Sequence, residues 1–274
     1  MIQRGFLQLL SLVICSPWLI SAQDMETITG TVYVDNDFSF YINGELIIED
    51  PVPIIRHNAV NVSFRVPRGK NITFAIDARD WADDISGLEY DNRCVGDGGL
   101  RAMFNNGVVT NKSWVCSTYH YGPINWKDCF GAQMVRDQSY QLLPQCKQNS
   151  TPQLTGCTSR YTTLPTDWVM SGFDDSRWEY ASEFTPEEVG WGLRPAGCEN
   201  PGTVISSEVD SNGDPITCPE NLDWGNANFI WRPSLDLDNR IVCRYTVKLE
   251  ESGTRNAAAG FLATMMGVVI SITT

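Results

Sequence analysis

The period-two alternation of "AVNVSFRV" (59–66) constrains this chain more than any other feature. Successive side chains of a strand point to opposite faces, so Val62, Phe64 and Val66 share one of them. After the turn "PRGKN" (67–71), "NITFAIDA" (71–78) alternates again and aligns Ile72, Phe74 and Ile76. No segment longer than about ten residues keeps a helical apolar period. The chain is therefore all-β, and a two-layer sandwich is the expected architecture.

Other segments follow the same rule. "TGTVYV" (29–34) and "FSFYINGELII" (38–48) read as strands joined by an acidic turn over Asp35, Asn36 and Asp37. Asn43-Gly44, flanked by Tyr41, Ile42, Leu46 and Ile47, predicts a tight hairpin turn. The middle, 82–165, is rich in Gly, Asn and Asp and holds five of the mature cysteines. It reads as short strands tied by disulfides, with a hairpin over 104–116 around Asn105-Asn106-Gly107. A second hairpin is expected over 203–218, turning at Asn212-Gly213, and two closing strands over 229–232 and 240–249.

The ends carry processing signals. Arg4, an apolar run to Ile14 and small residues at Ser21 and Ala22 have the layout of a secretory signal peptide, residues 1–22. Gly260 to Thr274 has no charge and no basic flank. Its fifteen residues make about 22 Å of helix, short of the ~30 Å bilayer core. A terminal apolar tail after small residues reads as a glycosylphosphatidylinositol (GPI) attachment signal, 253–274, with Ser252 as the attachment residue. A single ectodomain, 23–252, remains. Removing Arg4 and Arg255 with the ends leaves 18 basic against 33 acidic residues, a net charge of −15. Nucleic acid and anionic lipid are poor partners for such a surface, so membrane association is expected through the lipid anchor only.

Cysteines and sugars agree on the compartment. Cys15 leaves with the signal peptide, and Cys94, Cys116, Cys129, Cys146, Cys157, Cys198, Cys218 and Cys243 remain, an even set in a secreted chain. Local spacing favours Cys198–Cys218 around a hairpin and Cys146–Cys157 across a loop. N-glycosylation sequons stand at Asn61, Asn71, Asn111 and Asn149, which should face solvent.

Enzyme chemistry lacks its parts. His57 and His120 are the two histidines, no G-x-S-x-G or H-E-x-x-H occurs, and "DSNGD" (210–214) lacks the ligands of a calcium hand. The expectation is a non-enzyme. "GFDDSRWEYA" (172–181) places Asp174 and Asp175 side by side. Adjacent side chains splay apart, whereas a glycosidase pair must straddle a bond ~5–9.5 Å wide. Capping of a turn that folds Trp178 back under the loop is the expected role, with calcium the ion these two carboxylates would hold.

The same stretch resembles the F-D-D-S-x-W segment of galactose-binding-domain-like jelly rolls, including the sugar-binding domains of β-galactosidase-type glycosidases. "VDNDFSFYINGELI", "VPRGKNITFAIDARD" and "FIWRPSLDLDNRIVCRYTV" resemble further strands of that family, though the D-D-S-x-W stretch comes early in the glycosidase domains and late here. The resemblance implies a jelly-roll sandwich in which that stretch is architectural. It leaves no room for a catalytic barrel of ~250 residues.

Of eight mature tryptophans, Trp178 and Trp231 are expected in the core. The ligand candidates lie in "CSTYHYGPINWKDC" (116–129), where Tyr119, Tyr121 and Trp126 offer faces for a sugar ring and His120 and Asn125 offer polar groups. The functional expectation is an extracellular, GPI-anchored module binding carbohydrate or a cell-surface ligand. A structural or adhesive coat protein and an accessory domain of a carbohydrate-active enzyme are the alternatives.

Overall fold

A computed structural model describes residues 24–50, 58–89, 91–129, 153–189, 204–209, 215–217 and 224–248. The strands in chain order are β1 (Met25–Asp35), β2 (Asp37–Ile42), β3 (Glu45–Glu49), β4 (Asn58–Pro67), β5 (Ile72–Arg79), β6 (Gly99–Phe104) and β7 (Val115–Tyr121). They continue with β8 (Arg160–Tyr161), β9 (Glu179–Tyr180), β10 (Ser182–Phe184), β11 (Val204–Val209), β12 (Pro215–Thr217), β13 (Phe229–Trp231) and β14 (Asp238–Val247). Two single helical turns, α1 (Trp126–Cys129) and α2 (Pro186–Val189), complete the described elements.

Two antiparallel sheets form the sandwich. One has the order β10-β13-β6-β1-β4, and the other β3-β2-β5-β14-β7-β8, with β9 also paired to β7. The alternation of β4 is reproduced: Val60, Val62, Phe64 and Val66 are buried, while Asn61, Ser63 and Arg65 face solvent. Phe64 meets Phe40 across the interior with centroids 5.6 Å apart, and Phe74 meets Phe104 at 4.8 Å. Each such ring contributes roughly 1.5–3 kcal/mol by leaving water. Trp231 is fully buried, as expected, and its indole occupies the space that a side chain at Gly98 would fill.

Turn chemistry also follows the sequence. Asn43 and Gly44 have φ of 52° and 93°, the left-handed pair that a two-residue hairpin requires. The Asn105–Gly107 turn forms, but its return arm is a single Met103–Val109 bridge. The chain then crosses to the second sheet as β7, because Trp114 is needed in the core and Cys116 faces Cys243 there. β11 pairs β12, so the 203–218 hairpin is present, though its turn lies outside the described residues.

β5 departs from simple alternation. Ile72, Phe74 and Ile76 face the interior, yet Thr73 and Ala75 are buried too. The segment 164–178 lies over the outer face of this sheet, with Trp168 and Phe173 packed toward Ala75 and Val242.

The disulfides correct one pairing. Cys116 bonds Cys243 across facing positions of β7 and β14, and Cys129 bonds Cys157. Cys157 is thus not the partner of Cys146. Asn125 brings Cys129 to it: its side chain donates to the Gly156 carbonyl at 2.7 Å and accepts from the Thr158 amide at 2.9 Å. Cys94 is disulfide-bonded as well. Cys146, Cys198 and Cys218 lie outside the described residues, as do Asn149, Ser252, His57 and the segments 1–22 and 253–274. Asn61 and Asn71 are exposed, and Asn111 is half-buried.

Candidate functional site

β7 is paired on one edge by two short strands with a gap between them. β8 takes His120 and Tyr121, and β9 takes Val115 and Cys116. Between these pairings, at Ser117–Tyr119, a cleft of about 310 Å³ opens. Its walls include Tyr119 and Tyr121 from β7, Arg160 from β8, Glu179 from β9 with Trp178 just before it, and Arg232 just past β13. The unevenness of the β7–β14 pairing, with register shifts between Asp238 and Ile241, locally re-aims the side chains at this end.

Arg232 is the distinctive group. Its side chain is only 13% exposed, and Nη2 donates to Glu179 Oε2 at 2.6 Å. Nε and Nη1 are buried and, among the described residues, have no acceptor. A buried guanidinium with idle donors favours an incoming anion or hydroxyl. Trp178 and Tyr121 are half-buried, leaving ring surface at the cleft, and Arg160 sits 5.8 Å over the Tyr121 ring. Asp238 also lines the cleft; burial pushes its carboxyl up, opposed by hydrogen bonds from Thr118 and the Ser234 amide.

The predicted ligand set divides. Tyr119 and Tyr121 reach the cleft; the Tyr119 hydroxyl donates to Asp77 at 2.7 Å, and burial together with Asp77 pushes that phenol up. His120, Asn125 and Trp126 do not line it. His120 is fully buried, stacked under Tyr161 at 4.3 Å, and burial and Arg240 lower its imidazole to about 4. Asn125 is spent on the staple to 156–158, and Trp126 packs toward the Leu88–Cys157 cluster.

In "GFDDSRWEYA" the two carboxylates have different partners. Asp174 accepts from the Ser176 amide at 3.1 Å, and the two hydrogen bonds from Ser176 hold its carboxyl below the usual range. Asp175 instead accepts from Arg244 Nε at 2.8 Å. Arg244 is 1% exposed, lies over the Phe173 ring, and donates through Nη1 to the carbonyls of Trp168 and Met170. The loop is thus clamped around a buried cation of β14. Trp178 is half-buried rather than a core residue, because it packs on Trp168 and Phe173 outside the sheet. No third carboxylate, histidine or cysteine joins Asp174 and Asp175 among the described residues. The one such group described is Asp80, Glu89 and Asp97, at the other end of β5.

Sequence reasoning missed Arg232 and Arg244. The signal for Arg244 was present as a charge inside the apolar run "IVCRYTV". Arg232 follows Trp231 just past the end of β13, and nothing local marks it as idle. No family model, curated protein or solved structure matches this chain.

Proposed function

We propose that the chain is a non-catalytic carbohydrate-binding module of the galactose-binding-domain-like kind, held outside the cell by a GPI anchor, and that its ligand carries an acidic substituent. The observation that supports it most is Arg232, a buried guanidinium with two idle donors beside half-exposed aromatic rings. Aromatic faces stack on the apolar face of a sugar ring, and a guanidinium fork matches a carboxylate or sulfate. Such a ligand would be drawn to the arginines despite a chain whose net charge is −13. The disulfides indicate an oxidising compartment, in accord with the leader and the terminal tail.

The test uses protein released from expressing cells by a phosphatidylinositol-specific phospholipase, applied to an array of neutral, uronate-bearing, sialylated and sulfated glycans. Release and acidic-glycan binding are expected, with Arg232→Gln weakening binding about tenfold, the loss of one charge-assisted pair. Failure of release sinks the anchor. An array blank for every glycan sinks the binding module and leaves a surface-coat element.

A further inference from the structure

The chain between β5 and β6 gathers three carboxylates. Asp80 follows the last residue of β5, Glu89 lies in the connecting loop, and Asp97 stands two residues before β6. One oxygen from each lies within 4.8 Å of the others. Asp80 is 0% exposed, and neither of its carboxylate oxygens makes a hydrogen bond of normal geometry among the described residues. Glu89 is 6% exposed, while Asp97 is open to solvent.

The loop is built to hold them there. Glu89 and Cys94 close a tight turn through two backbone hydrogen bonds, 2.9 and 3.3 Å, over Asp91 and Asn92 at φ of 55° and 61°. Leu154 donates to the Asn92 carbonyl at 2.7 Å, and the disulfide at Cys94 ties the turn further. The Asp80 amide is fixed to the Asn239 carbonyl at 2.7 Å. Gly96 passes so close over Asp80 that a Cβ there would sit 1.7 Å from Oδ2. Only glycine lets the backbone approach the carboxylate this closely.

From this geometry we infer that Asp80, Glu89 and Asp97 form a calcium site. A buried carboxylate that no hydrogen bond of normal geometry satisfies, facing two more carboxylates, is costly unless a cation joins it. The donor set is all oxygen, which selects a hard ion. Oxygens that all lie within 4.8 Å of one another can share one ion, and calcium, which accepts six to eight oxygens in flexible geometry, suits an irregular set of protein carboxylates and waters better than magnesium with its strict octahedron. The open side at Asp97 supplies an entry path and room for waters. The ion would tie the end of β5 to the approach to β6, independently of any ligand in the cleft.

The test is thermal unfolding of the full chain, expressed through a secretory host, in chelator and across a calcium titration. Affinity of about 0.1–1 mM, usual for extracellular modules, is expected. At ten times that concentration the melting temperature should rise by about 3–6 °C. Asp97→Asn, at an exposed position that should not disturb folding, and Glu89→Gln should each weaken the response about tenfold or more. Asp174→Asn should leave it unchanged. A parent chain that does not respond to calcium, as when Asp80 and Glu89 simply share protons, overturns the site. So does a response that survives both Asp97→Asn and Glu89→Gln, or one that Asp174→Asn abolishes. An equal response to magnesium overturns the assignment to calcium.

Discussion

Two groups of acids in this sandwich look alike in composition and differ in what the fold gives them. Asp174 and Asp175 are neighbours in sequence, yet their carboxylates part company: one caps a turn and the other meets Arg244. Asp80, Glu89 and Asp97 are spread over eighteen residues, yet their oxygens converge. Adjacency in sequence separates side chains, whereas a loop closed on itself collects them. The first group is satisfied by the protein alone. The second has burial and like charge pushing the Asp80 carboxyl well up, opposed by the Asp97 backbone amide.

The sharpest way to break this comparison is to remove the cation of the first group. Arg244→Met should destabilise the chain by about 3–5 kcal/mol, the cost of breaking one side of a buried ion pair. The loss includes the carbonyls of Trp168 and Met170, left without their donor, and the loosening of the loop over Ala75 and Val242. Asp175→Asn should cost less, since its side chain is 32% exposed and water replaces part of the interaction. Urea unfolding of the two variants checks the order. An Arg244→Met protein as stable as its parent would mean that the clamp is ornamental.

The second group predicts the opposite sign for the same kind of change. In chelator, Asp80→Asn should stabilise the chain by about 1–3 kcal/mol, by removing one like charge from a close buried set. A carboxyl whose folded value is raised gives stability at low pH that is lost as pH rises through that value. The advantage of Asn should therefore grow from acid toward neutral pH. Melting curves of parent and variant in chelator, compared at the two ends of that range, read it directly. If Asp80→Asn is destabilising there, as Asp175→Asn should be, the two groups are alike after all.

Much of the framework was legible because it depends on period and turn type. Alternation in 59–66 and 71–78, the Asn43-Gly44 turn and the closing strands are local properties, and they survive into the two-sheet sandwich. The disulfides were not legible in detail, since Cys129 reaches Cys157 through a staple made by Asn125. The site was half legible. Tyr119 and Tyr121 did reach a cleft, as residues of β7 rather than of a loop, because β8 and β9 leave the middle of that strand uncovered. Arg232 could not be read, because its idle donors result from neighbours drawn from β9 and β14. Trp126 and His120 were legible as unusual residues, but packing uses both: His120 of β7 is buried under Tyr161, and Trp126 of α1 lies against the Leu88–Cys157 cluster.

His120 extends the comparison to a buried base that solves its problem by losing its charge. It packs under Tyr161 of β8, with Arg240 of β14 nearby, and with Asp83 and Asp84 of the loop after β5 as its acidic neighbours. Tyr161 and Arg240 both bond Asp84, so that carboxylate is already engaged. Burial first and Arg240 second bring the imidazole down to about 4 from its ordinary 6.5. The unfolded chain then binds a proton between these values that the folded chain refuses, so stability falls as pH drops from about 6.5 toward about 4. With Asp83 and Asp84 on the solvent side screening the effect, the loss should be on the order of 1–2 kcal/mol. His120→Gln, which cannot take up a proton, should flatten that part of the pH profile while leaving the response of the Asp80 group to calcium intact. A variant whose acid profile matches the parent's would show that His120 keeps its proton when folded, and that Asp84 has charge to spare after Tyr161 and Arg240.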